Sequence, residues 1–176
     1  MSKLFFISDL HLGHDNVLKF TLPNGSLMRP HWDNVEAMAE DIKQRWNSVV
    51  SPDDKVYVVG DVIWRRPWLP FLDELNGSKR LIMGNHDIFD AQDYLKYFKK
   101  LYGVKIIEEF IVTHVPVEAD DIRYCNIHGH RHASSLSDAR YFNVSVEAIN
   151  YTPIEIDEIR NRVKAAKELE LNDEDF

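Results

Sequence analysis

The chain predicts an α/β domain of two packed sheets with helices outside. Two observations lead there: strands and helices alternate through the first hundred residues, and the second half is rich in short strands. Lys3–Ser8 is an apolar strand run that ends at Asp9. Asn34–Val50 reads as a helix, because Val35, Met38, Ala39, Ile42, Trp46 and Val49 recur at helical spacing with polar residues between them. Ser51-Pro52-Asp53-Asp54 stops it. Lys55–Val59 is a second buried strand, followed by Gly60-Asp61. Pro70–Leu75 reads as a short helix stopped by Asn76-Gly77. Lys79–Met83 is a third strand, ending at Gly84-Asn85-His86-Asp87. Ala91–Lys100 reads as a helix with Tyr94, Leu95 and Phe98 on one face.

After that the strand runs follow closely, at Val104–Ile107, Phe110–Thr113, Tyr124–Ile127, Tyr141–Val146 and Thr152–Ile156. Asp157–Leu171 closes the domain as an amphipathic helix with Asp157 as its N-cap. Residues 1–171 therefore form one domain, and Asn172–Phe176 an acidic, frayed tail.

Bulk properties narrow the function. With 44% apolar and 28% charged residues in 176, this is ordinary globular composition. No apolar run approaches the roughly 20 residues a membrane span needs. The first strand is too short in its apolar part for a signal peptide. Cys125 is the single cysteine, so no intrachain disulfide forms, which fits a cytoplasmic setting. A formal charge of −8 argues against a large basic surface for duplex nucleic acid. An anionic substrate stays compatible with that charge, because bound metal cations can dominate a local field.

Five short motifs sit where strands should end. In an extended strand Asp9 and His11 point to the same side and can face one ion; alone, the pair is equally a capping Asp beside a packed histidine. Asp61 sits at the carboxyl end of a buried strand, where α/β sheets place ligand sites, or else caps the following turn. Gly84 permits close backbone approach, Asn85 offers a neutral oxygen and His86 an imidazole; an ordinary turn has similar composition. His114 follows the strand Phe110–Thr113, and a lone histidine there is more often structural. His128, His130 and His132 alternate along an extended segment, with Gly129 leaving room for a close neighbour. Each motif is modest alone; five in a row, each after an apolar strand, point to a metal site.

In this order the motifs resemble the calcineurin-like metallophosphoesterase superfamily, whose pattern is DxH, GD, GNH followed by Asp or Glu, H, and GHxH. Here it stands as Asp9-Leu10-His11, Gly60-Asp61, Gly84-Asn85-His86-Asp87, His114 and Gly129-His130-Arg131-His132. The stretches ISDLHLGHDNVLKF, WNSVVSPDDKVYVVGD and FNVSVEAINYTPI further resemble a small bacterial and bacteriophage subgroup of single-domain members. The resemblance implies a four-layer α/β/β/α sandwich of two mixed β-sheets flanked by helices, with the motif loops at one edge. It implies that Asp9, His11 and His132 hold one divalent metal ion, that Asn85, His114 and His130 hold a second, and that Asp61 bridges them. Mn²⁺ is a common occupant in the family; Fe, Ni²⁺ and Zn²⁺ suit the same ligands.

The implied reaction is hydrolysis of a phosphodiester or phosphomonoester by a hydroxide held between the metals, with His86 as general acid or transition-state stabiliser. The chain departs from the phosphoprotein phosphatases of the superfamily, in which an Asp after the GD motif orients the catalytic histidine. Trp64 stands at that position. Arg65 is a candidate to grip the phosphate, and His14 to line the substrate pocket. Trp64, Trp68, His31 and Trp32 are candidates for the cleft border, against ordinary packing. The expected partner is a small phosphate ester or a nucleotide, and nothing in the sequence sets an oligomeric state. Two other readings stand beside this one: a metal-binding scaffold for protein interaction on the same fold, and a nuclease acting on short single strands.

Overall fold

The computed structural model describes residues 2–173. In chain order its strands are β1 (Leu4–Ile7), β2 (Lys55–Val58), β3 (Ser78–Ile82), β4 (Leu101–Tyr102), β5 (Val104–Ile107), β6 (Phe110–Thr113), β7 (Cys125–His128), β8 (Tyr141–Asn143) and β9 (Ile154–Glu155). The α-helices are α1 (Val35–Val49), α2 (Ala91–Tyr94) and α3 (Ile156–Asp173), with 3₁₀ segments at Asp15–Lys19, Arg66–Glu74 and Ala119–Asp121. One sheet has the order β4-β3-β2-β1-β9, the other β5-β6-β7-β8. Both are mixed: β1 to β4 run parallel with β9 antiparallel at the edge, and β6 to β8 run parallel with β5 antiparallel. The expected α/β sandwich of two mixed sheets with helices around them is what the chain forms.

Buried parallel strands read as continuous apolar runs because both faces are covered. Phe5, Phe6 and Ile7 of β1 and Val56 and Val58 of β2 are all buried. The face of α1 made by Val35, Met38, Ala39, Ile42 and Trp46 joins the same core. Asn34 caps that helix, its side chain accepting the Ala37 N–H at 2.8 Å. Helix α3 packs on β1 and β9 and reaches the other sheet through Lys167, whose Nζ donates to Tyr124 O at 2.7 Å.

Several boundaries differ from the sequence reading. The segment expected to be helical over Ala91–Lys100 is α-helical only to Tyr94. Tyr97 and Phe98 N–H groups both return to Tyr94 O, and Lys99 then pairs with Lys79 O at 2.9 Å alongside β3. Tyr94 and Phe98 are buried as expected, whereas Leu95 is half exposed. The short helix expected at Pro70–Leu75 is instead a 3₁₀ segment over Arg66–Glu74, with Pro70 inside it contributing no N–H. Asp157 is not the N-cap of α3 but lies in its first turn, since β9 runs directly into the helix. That helix continues to Asp173, so Asn172 and Asp173 are helical and not part of a tail; the remaining tail residues lie outside those described.

The ends of the sheets meet at one place. Ser8 N–H donates to Val144 O at 2.8 Å and Ser8 O accepts the Val146 N–H at 3.1 Å. This bridge carries the chain leaving β1 against the chain leaving β8. Asp9 and the histidines after β7 are thereby brought to a common edge.

Candidate metal centre

The motif residues do converge, but not by strand alternation. Strand β1 ends at Ile7, and Asp9 (φ 58°) and His11 (φ 50°) both adopt left-handed backbone. So do Asp61 (φ 54°), His130 (φ 67°) and His132 (φ 48°). Non-glycine residues rarely hold this conformation, and they persist in it where surrounding structure overrides the cost. The left-handed turns re-aim side chains that an extended chain would splay along the edge.

Two glycines let these turns close. A Cβ at Gly84 would collide with Asp61 Oδ1, and one at Gly129 would collide with Asp9 Oδ2 and Ser8 Oγ. The close neighbour expected for each glycine is thus a carboxylate from another motif.

Asp9 is buried and its two oxygens differ. Oδ2 accepts from Ser8 Oγ at 2.5 Å, Ser145 Oγ at 2.9 Å and His130 N–H at 2.9 Å. Oδ1 is buried without a hydrogen-bond partner and lies 3.9 Å from both His11 Nε2 and His132 Nε2. His11 Nε2 is likewise buried and unpartnered. Burial, followed by the nearby Arg29 and His132, lowers the His11 imidazole to about 3, so it is neutral and able to donate a lone pair.

The second group is built around His114. Its Nδ1 lies 2.8 Å from Val59 O, an acceptor only, so that nitrogen carries the proton. Its Nε2 faces Asn85 Oδ1 at 3.0 Å and Asp61 Oδ2 at 3.3 Å. Asn85 Oδ1 also lies 2.9 Å from His130 Nδ1. A lone pair and two oxygens converging this way repel unless a proton or a cation sits among them. Burial works to lower His114, but the Asp61 hydrogen bond and the Asp9 and Asp61 charges raise it to about 9.

Donor atoms of Asp9, His11 and His132 all lie within 4.8 Å of one another, as do those of Asp61, His114 and His130. The unpartnered Asp9 Oδ1 and His11 Nε2 in the first group, and the converging Asp61, Asn85, His114 and His130 donors in the second, match the O/N donor set of a divalent cation. The residues present fit such ions.

A family model for calcineurin-like phosphoesterases matches residues 2–172. The chain belongs to that family. A calcineurin-like phosphoesterase of this size has a relative along its whole length in MJ1445, an uncharacterized protein of Methanocaldococcus jannaschii. The two are 32% identical over 184 residues, covering 95% of this chain and 94% of the relative. The gene 66 protein of Mycobacterium phage L5 is 35% identical over 92 residues, covering 49% of this chain and 41% of the phage protein. Among solved structures, AQ665 from Aquifex aeolicus, a protein of unknown function, superposes with a TM-score of 0.69 at 27% identity. That match covers 92% of this chain and 99% of the other.

The remaining family motif residues take distinct places. His86 is exposed; its N–H donates to Asp61 Oδ1 at 2.9 Å, and its ring has no hydrogen bond among the described residues. Trp64, in place of the phosphatase Asp, sits with its ring 5.0 Å from that of His86 and 3.8 Å from that of His14. Packing therefore stands where a carboxylate would orient the imidazole. His14 is buried beside His11, with its Nδ1 unpartnered. Arg65 is exposed and ion-paired with Asp15 at the rim. His128 turns away from both groups, its Nδ1 on Gly129 O and its ring edge-on to Tyr141, so only two of the three alternating histidines share the site. Trp32 packs edge-on to Tyr151 and Trp68 lies beneath Gly13, with both packed against the core.

Three supporting residues take roles that the sequence motifs alone do not assign. Asp87, the last residue of the GNHD motif, accepts the backbone N–H groups of Asp61, Val62 and Gly84. Arg29 is fully buried against the Asp9 loop. Glu147 accepts from His132 Nδ1 at 3.0 Å. An acidic residue fifteen positions past a candidate histidine ligand, in a stretch quoted only for its resemblance, was the available clue to Glu147.

Proposed function

We propose that this chain hydrolyses phosphate esters with two divalent cations. Asp9, His11 and His132 hold one, Asn85, His114 and His130 hold the other, and Asp61 is shared. The observation that carries this reading is the place of Asp61: its Oδ2 lies 3.7 Å from His11 Nε2 and 3.3 Å from His114 Nε2, one carboxylate facing both groups. Burial pushes that carboxyl upward, yet the hydrogen bond and charge of His114 hold it at about 2, so it is anionic at neutral pH. When bound, two such cations acidify water toward neutral pH and withdraw charge from the phosphoryl oxygens.

The protein's own part is to orient and to move a proton. Asp61 Oδ1 fixes the His86 backbone, while the exposed ring is free to turn and donate a proton to the leaving oxygen. Trp64 limits that turn from one side. The exposed rings of His86 and His130 leave the site open to an ester with two substituents, which favours a phosphodiester, including a nucleotide. Mn²⁺ is the favoured ion.

The test is hydrolysis of bis(p-nitrophenyl) phosphate with added Mn²⁺. His86→Ala should lower kcat by about 10²–10⁴ while metal content stays unchanged. Asp61→Asn should lower both. An inert metal-loaded wild type across mono- and diesters, or variants as active as wild type, would overturn the reading.

A further inference from the structure

We infer that Arg29 and Glu147 are positioning residues that make the buried cation site, through His132 and the Asp9 loop, the tighter of the two. This rests on the two-cation reading above. Arg29 is fully buried, and its guanidinium reaches two segments far apart in sequence. Nη2 donates to Asp9 O at 2.6 Å, Nη1 to Leu10 O at 3.1 Å, and Nε to Glu147 Oε1 at 2.7 Å. Glu147 Oε1 also accepts from His132 Nδ1 at 3.0 Å. A carboxylate only accepts, so Nδ1 bears the proton and the His132 Nε2 lone pair is fixed toward Asp9 Oδ1.

One planar, permanently charged fork thus clamps the backbone that carries Asp9 and, through Glu147, the ring of His132. It also supplies the counter-charge that lets Glu147 remain a buried anion. In the other group Val59 O holds the His114 ring and Asp87 the Asp61 backbone, but the His130 and Asn85 side chains have no such brace among the described residues. His130 and Asn85 are exposed, and their side chains hydrogen-bond only within the group among the described residues. A pre-organised site gives up less conformational freedom on binding than one whose ligands must be ordered at that moment. Loading is therefore ordered: the buried site fills first, and the open site fills and exchanges later.

Titration of the metal-free protein with Co²⁺, followed by its visible absorption, tests this. Wild type should bind two equivalents in separable steps. Glu147→Gln and Arg29→Lys should weaken the tighter step by roughly tenfold to a hundredfold, the range for residues that support metal ligands. The weaker step should stay in place, and His130→Ala should remove that step alone. Near-ultraviolet circular dichroism and metal-free melting identify the variants that fold, and Glu147→Gln, which keeps the side-chain shape, serves if Arg29→Lys does not. A folded Glu147→Gln with an unchanged tighter step overturns the inference, as does equal weakening of both steps. A wild type that binds no Co²⁺ overturns the two-cation reading itself, and this one with it.

Discussion

The carboxylate of Asp87 accepts the backbone N–H of Asp61 at 2.9 Å, so the loop after β3 holds the loop after β2 in its turned conformation. Val62 N–H, at 3.0 Å, and Gly84 N–H, at 2.8 Å, share that carboxylate. Asp87→Ala would strip the partner from three N–H groups at once. The expected loss of stability is on the order of 3 kcal/mol, given the cost of unsatisfied buried donors. Urea unfolding of the metal-free protein measures it.

Gly84→Ala should destabilise by about 1–3 kcal/mol, the usual cost of overpacking, and should also lower metal content by displacing Asp61. Gly103→Ala is the control, since nothing lies near a Cβ built there; it should stay within about 0.5 kcal/mol of wild type, as surface changes do. If the two glycine variants melt alike and bind metal alike, the close approach at Gly84 has no consequence.

Ions that bind only the folded chain raise its stability by mass action. Mn²⁺ at a hundredfold over its dissociation constant should add about 2.7 kcal/mol, or roughly 5–10 °C in Tm for a domain of this size. Excess chelator should reverse the shift, and Asp61→Asn should shrink it. Differential scanning fluorimetry reads all of these.

Burial pushes the Cys125 thiol up to about 12, and the side chain is fully covered. The thiolate is the nucleophile in alkylation. Iodoacetamide at pH 8 should therefore leave the native protein unmodified and label it once in urea. Stoichiometric labelling of the folded chain, read by intact mass, would contradict the packing of β7.

What was legible in the sequence follows from which forces act locally. Strands β1, β2 and β3 and the helix α1 were read correctly because burial on one or both faces writes itself into residue order. Helix α2 was overextended because its apolar spacing is real, while the chain after Tyr94 is recruited by hydrogen bonds to Lys79 and Leu81, far away in sequence. The roster of motif residues was visible, and the geometry that unites them was not. Asp9 and His11 were expected to align along a strand; instead each sits in a left-handed turn. Arg29 was invisible for another reason: its partners are two backbone carbonyls and a glutamate 118 positions later, and no local pattern encodes such contacts.

Those left-handed turns have a bearing on design. Transplanting Asp9, His11, Asp61, His130 and His132 into another scaffold, at matched spacing but on ordinary loops, would copy the chemistry and lose the aim. The recipe for this centre is written in dihedral angles as much as in residue names. A faithful graft would carry the strand ends, the small residues that let neighbouring loops touch, and the buried arginine beneath them as one indivisible part.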